Sequence, residues 1–281
     1  MPPRPPDALT GSALCAQLAP LPVGEREEQL YREVARGNVP IFLRWLVPVE
    51  LRGSIGGREH VLLFAAAPDY LAVGSDTDFI RMPMTPQLAQ RLCNRFDCSL
   101  PTPRMVDAIW RQSDYRLVPQ PIPASPEMVT VETFCRHNLM IEEQRRRAGA
   151  AAGLLLSGIK KDIVITPQLA LRPPPPRVAI YGWHYPTGQP IQPLSLVHRA
   201  SYADYSHGVR LVASDVQLDG QPRRLSDLLR DRSMAALVSD EGPFSGTPAY
   251  SIPAEAAAGE WILDREMSSA PPPIPLSDRL T

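Results

Sequence analysis

Apolar residues fall at helical spacing in the first half of the chain and in short continuous or alternating runs in the second. Within Gly24–Gly37, Leu30, Tyr31, Val34 and Ala35 sit among charges, which predicts an amphipathic helix. Pro40–Leu51 is rich in aromatic and branched residues, with Pro48 marking an edge or a bend. Gly53-Ser54-Ile55-Gly56-Gly57 is a turn signal, and His60–Ala66 resumes as an apolar strand. The pair predicts a β-hairpin with a glycine-rich connection. Tyr70–Val73 is a short strand ended by Gly74.

Three helices follow. Thr85-Pro86 and Thr102-Pro103 each combine an N-capping threonine with proline in the first turn. Leu88, Ala89, Leu92, Cys93 and Phe96 form the apolar face of the first helix. Met105, Val106, Ile109 and Trp110 form that of the second. After a break over Pro119–Pro126, Thr130–Arg147 is a third helix with Phe134, Leu139 and Ile141 in a polar setting. Arg145-Arg146-Arg147 reads as its solvated C-terminal end, where positive side chains suit the helix dipole.

Further on, Ile163–Ile165 and Val178–Tyr181 look like buried strands, separated by the stiff proline run of Arg172–Pro176. Val209–Val212 and Val216–Leu218 are further strands, followed by a helix near Leu225–Arg230. Helices first and strands later predict an α+β fold, a helical N-terminal half packed with a mostly antiparallel sheet contributed largely by the C-terminal half. Residues 1–23 read as a proline-rich surface or flexible arm, residues 24–265 as a single globular domain, and residues 266–281 as a proline-rich tail.

Composition sharpens the picture in three places. Of 281 residues, 33 are proline, about twice the ordinary share of roughly 5%, so loops and tails are many. A net charge of −1 gives no electrostatic footprint for nucleic acid. No apolar run is long enough for a transmembrane helix, and the first residues lack a basic region followed by an apolar one. The expected setting is cytoplasmic, or exported with the signal absent from this sequence. The four cysteines (Cys15, Cys93, Cys98 and Cys135) contain no Cys-x-x-Cys pair and read as reduced, mostly buried thiols.

The candidate chemistry lies in Tyr181–Leu211, which holds His184, His198 and His207, three of five histidines. Histidine moves protons near neutral pH and is the commonest metal ligand. Asp204, three residues before His207, can orient an imidazole, and Ser206 can serve as a nucleophile. Strand alternation, however, keeps Ser206 and His207 out of one pocket if the segment is extended. These five residues are the catalytic candidates. Tyr202, Tyr205, Trp183 and Arg210 are candidate substrate contacts, with Asp76, Asp78 and Glu142 as supporting acids. A divalent metal such as zinc is an alternative use of the histidines, although their spacing matches no short zinc motif. A set of loop and strand-end residues bonded only to backbone is another.

Ser206-His207-Gly208-Val209-Arg210-Leu211 resembles the Ser-His-Gly-Cys-x-Arg-Leu signature of the L,D-transpeptidases, cell-wall enzymes with a cysteine nucleophile. The resemblance covers about six residues. It implies a cell-wall substrate and an upstream histidine serving the same site, a role open to His184 or His198. The chain departs from the signature at the nucleophile, since no cysteine follows Gly208, so acyl transfer through a thiolate is not implied. The expected function is hydrolysis of a peptide- or glycan-type polymer by a His/Asp acid–base site. The competing expectation is a binding or interaction module with a Tyr/Trp-rich recognition surface.

Overall fold

A computed structural model describes residues 1–252. The expected tail at 266–281, and the end of the expected domain, lie outside the described residues. The helices are α1 (Gly11–Leu18), α2 (Val23–Ala35), α3 (Pro86–Phe96), α4 (Pro103–Gln112), α5 (Val131–Arg147) and α6 (Leu225–Arg230). The strands in the first half are β1 (Val47–Ile55), β2 (Arg58–Ala66), β3 (Ala72–Gly74), β4 (Phe79–Arg81), β5 (Cys98–Ser99) and β6 (Tyr115–Arg116). Those in the second are β7 (Leu156–Ser157), β8 (Lys161–Ile163), β9 (Ile180–His184), β10 (Pro190–Ser195), β11 (His207–Gly208), β12 (Val212–Ala213), β13 (Asp215–Leu218) and β14 (Gln221–Arg224). The class is α+β, with helices mainly in the N-terminal half and mostly antiparallel sheets.

Local chemistry accounts for the helix starts. Thr85, Thr102 and Thr130 each accept a hydrogen bond from the backbone N–H three residues on, at Leu88, Met105 and Thr133. The β1–β2 hairpin turns on Gly56 and Gly57 alone, both at positive φ (59° and 78°), the two-residue connection that favours glycine. Gly53 to Ile55 extend β1 instead. Among the described residues β1 pairs only with β2, so Pro48 sits on an edge strand there.

The larger sheet runs β14-β13-β2-β12-β5, with β1 also on β2. The smaller runs β10-β9-β8-β11 and is antiparallel except for the β8–β11 pair. One continuous apolar core joins the helices to both sheets. Phe64, Phe134, Met82 and Met84 are buried at its centre.

The N-terminal stretch differs from a detached arm. Leu14 and Leu18, one helical turn apart, are fully buried on α1. Arg4 donates to Asn38 Oδ1 and to the carbonyls of Gly74, Ala8 and Leu9. The prolines set the path of this stretch, but the apolar face of α1 closes the core.

Candidate functional site

The small sheet assembles the polar cluster. Lys161 on β8 is the register partner of His207 on β11 and of Gly182 on β9. Residues in register project to the same face, so Lys161 and His207 stand side by side. Asp162 and Gly208 take the other face. There Asp162 accepts a hydrogen bond from the Tyr70 hydroxyl at 2.7 Å and lies 3.8 Å from Arg210 Nε. A Cβ on Gly208 would come within 2.4 Å of the Tyr70 ring and 2.8 Å of Lys160 Cβ, so the residue after His207 has room only for hydrogen.

The turn before β11 fixes Asp204. Its Oδ1 accepts from Ser206 N at 2.7 Å and from Ser206 Oγ at 2.5 Å, and its Oδ2 accepts from the Tyr202 hydroxyl at 3.1 Å. Burial alone would raise this carboxyl. The charges of His207 and Lys161 and the Ser206 hydrogen bonds outweigh it and hold the carboxyl at about 2. Asp204 is therefore anionic at neutral pH. The Ser206 hydroxyl is spent on Asp204 and not held by a histidine, which removes the arrangement a serine nucleophile needs.

His207 is fully buried, and among the described residues no protein group hydrogen-bonds either ring nitrogen. Its nearest carboxylate oxygen is Asp204 Oδ2, 4.0 Å from Nε2, beyond hydrogen-bond range. Burial pushes the imidazole down to about 4. Asp204 pulls the other way, and Lys161, His198 and Lys160 add to the depression. The Tyr202 ring meets His207 edge-on at 5.7 Å, and the half-buried His198 stacks on Tyr202 at 4.4 Å. Burial lowers His198 too.

Behind this layer lies a second one. Lys160 is fully buried, with Nζ 3.2 Å from His137 Nδ1 and donating to the Tyr205 carbonyl. Burial brings its ammonium down to about 7, with Arg81 adding to the effect. His137, from α5, is pushed to about 2 by burial and by Lys160. Trp183 packs edge-on against His137 and Tyr205 at 6.0 and 6.3 Å. It does so with φ of +57°, following Gly182 at +97°. A bulky residue in that region is a backbone outlier of the kind that persists only where the surroundings over-determine it.

The other expected site residues go elsewhere. His184 Nε2 is 2.9 Å from Asp107 Oδ1, which also accepts from the Tyr181 hydroxyl at 2.9 Å, and the His184 ring stacks on Trp110. His184 thus belongs to a separate, closed pair with α4. Asp76 accepts from Ile41 N and Asp78 from Ser12 N, so both acids cap the starts of other elements. Glu142 is bound by Arg81 and Arg145. Arg210 donates to the carbonyls of Ala67 and Leu156 in the core. Trp183 and Tyr205 are 3% and 2% exposed and form no outward surface. Of the expected residues, His207, Asp204, Ser206, His198 and Tyr202 converge.

Asp107, His137, Lys160 and Lys161 are not among the candidates drawn from the sequence. Consecutive residues of an extended segment point to opposite faces. In a strand covered on both sides, one lysine of the pair must go inward, and that was the available signal.

Among the described residues, no group of three or more His, Cys, Asp or Glu side chains is placed to hold a metal ion. No helix there is long and apolar enough to cross a membrane. The four cysteines are free thiols. The chain matches no protein-family model, no curated protein and no solved structure.

Proposed function

We propose that the chain is a hydrolase of a peptide- or glycan-type substrate, with His207 as general base and Asp204 as the group that orients and stabilises it. The observation that carries this reading is the setting of His207: a fully buried imidazole, neither nitrogen bonded to a protein group among the described residues, beside an anionic carboxylate. Leaving buried polar atoms unsatisfied costs about 1–3 kcal/mol each, a cost that a bound water or substrate group removes.

With a pKa of about 4, the ring is neutral at neutral pH and can accept a proton. Nε2 faces Asp204, which leaves Nδ1 to take the proton from an attacking water. The imidazolium so formed stands 4.0 Å from the Asp204 carboxylate. Two unit charges at that distance attract by about 4 kcal/mol at an effective dielectric near 20. A shift of about 1 Å turns the pair into a hydrogen bond, and catalytic hydrogen bonds commonly tighten only in the substrate complex.

A cavity of about 590 Å³ lined by Thr166, Arg172, Arg177, Phe244 and Tyr250 supports a polymer as substrate. Its wall residue Arg177 forms a β-bridge to Arg199, the neighbour of His198. The burial of Trp183 and Tyr205 weighs against an aromatic recognition surface.

The test is mass-spectrometric detection of fragments from a panel of short peptides and from purified peptidoglycan. Wild-type protein should release fragments, and His207→Ala should lower the rate by about 10²–10⁴-fold. Intact substrates throughout the panel, or equal release by both proteins, would rule the reading out.

A further inference from the structure

Two of the free thiols meet where α1 packs against α5. Both helices are pinned to the start of β4. Gly11 N donates to the Asp78 carbonyl at 2.8 Å, and Ser12 N donates to Asp78 Oδ1 at 3.0 Å. Asn138 Nδ2 donates to the Phe79 carbonyl at 3.0 Å, and Asn138 Oδ1 accepts from Arg81 N at 3.1 Å. Cys15 follows Gly11 by one helical turn and Cys135 precedes Asn138 by nearly one, so each lies on the pinned face of its helix. There the Cys15 thiol donates a hydrogen bond to the Cys135 sulfur. Cys15 is buried in the core, whereas Cys135 is partly exposed.

The two sulfurs differ in reactivity. The hydrogen bond from Cys15 holds the Cys135 thiol below its usual range, against the opposing effect of burial. The same bond, together with burial, raises Cys15. Burial also raises Cys93 and pushes Cys98 up to about 11. Of the four cysteines, Cys135 alone joins a lowered thiol to solvent access and a second thiol in contact. Those three features mark a cysteine that oxidants reach first and that a neighbour can resolve. We propose that Cys135 and Cys15 are a redox-sensitive thiol pair, in which a peroxide oxidises Cys135 and Cys15 resolves it into an intramolecular disulfide that ties α1 to α5. The inference is independent of the hydrolase reading.

The chemistry balances. The Cys135 thiolate attacks one oxygen of hydrogen peroxide. The S–O bond forms as the O–O bond breaks, the sulfur gives two electrons to the peroxide, and the departing hydroxide is protonated to water. The Cys15 sulfur then attacks the sulfur of the Cys135 sulfenic acid. The S–S bond forms as the S–O bond breaks, and the second hydroxide takes up the Cys15 proton. Two thiols and one peroxide give one disulfide and two waters, and a small dithiol reverses the step by exchange. The bond fastens α1, which closes the core through Leu14 and Leu18, to the helix that carries His137.

Treating the full-length protein with hydrogen peroxide at neutral pH, with intact mass and unreduced peptide maps as readouts, tests the assignment. The chain should lose the mass of two hydrogen atoms, the map should join the Cys15 and Cys135 peptides, and dithiothreitol should restore both thiols. Cys98→Ser should form the bond as wild type does. Cys15→Ala should form none and should carry a Cys135 sulfenic acid that dimedone traps; if that variant does not fold, the wild-type map decides. The oxidised protein should melt several degrees above the reduced one, because the bond closes a long loop. A chain that keeps four thiols, or that passes to sulfonic acid without a linkage, overturns the proposal. So does a bond between other cysteines, a Cys15–Cys135 bond that forms only in urea, or an oxidised form that melts at or below the reduced one.

Discussion

His184 and His207 are both buried histidines of the small sheet, and each faces an aspartate, but their surroundings differ in kind. His184 is hydrogen-bonded to Asp107 at 2.9 Å, stacked on Trp110, and shares its acid with Tyr181. His207 has Asp204 at 4.0 Å and no hydrogen bond at either nitrogen. The first pair is complete in itself and ties β9 to α4. In the second, the acid is held by Ser206 and Tyr202, while the imidazole makes no hydrogen bond to a protein group among the described residues. Short His–Asp distance alone would choose the His184 pair. On the proposed reading, unused hydrogen-bond capacity next to a fixed charge marks the group that a substrate can still bond.

The largest expected effect is on turnover. Asp204→Asn should lower the rate of peptide or peptidoglycan cleavage by about 10²–10⁴-fold, and Asp107→Asn should leave it within about threefold, as steady-state rates would record. Equal losses would erase the distinction between the pairs.

A second expected effect is on stability against pH. The folded His207 pKa of about 4 lies below the ordinary 6.5, so between those values the unfolded chain binds more protons. The stability this histidine contributes is complete above pH 6.5 and is lost as pH falls through about 4, a drop of about 3 kcal/mol. His137, held at about 2, adds a loss of the same sign starting at the same upper limit. Urea denaturation from pH 7 to 4 should show a steep fall for wild-type protein and a shallower one for His207→Gln. Parallel curves would mean that the buried imidazole titrates normally.

The smallest expected effect concerns the closed pair. Asp107→Ala removes the acceptor shared by His184 and Tyr181, at a part-exposed position, and should cost about 1–2 kcal/mol in urea denaturation without a change in substrate binding. A loss of binding would draw His184 into the functional site.

The fold was readable where its causes are local. The threonine caps before α3, α4 and α5, the glycine turn of the first hairpin and the short helix at Leu225–Arg230 each depend on a few neighbouring residues. Helix α1 was hidden by surrounding prolines, although Leu14 and Leu18 carried a one-turn spacing. The site was readable as a location but not as a circuit. Segment 181–211 held both histidines, and nothing within it separates them. What separates them comes from afar: Asp107 from α4 claims His184, while Lys161 from β8 stands beside His207. Asp76, Asp78 and Glu142 looked like available acids because sequence shows a carboxylate and not its commitments to Ile41, Ser12 and Arg81. Such pairings depend on chain reversals of many residues, which no local pattern encodes.

The central claim, that the unpartnered histidine and not the paired one does the chemistry, is tested most directly by exchanging each for asparagine. Release of fragments from the peptide or peptidoglycan substrate should fall by about 10²–10⁴-fold in His207→Asn and stay within about threefold of wild type in His184→Asn. Undiminished cleavage by a folded His207→Asn protein, or a collapse of activity confined to His184→Asn, would contradict the account.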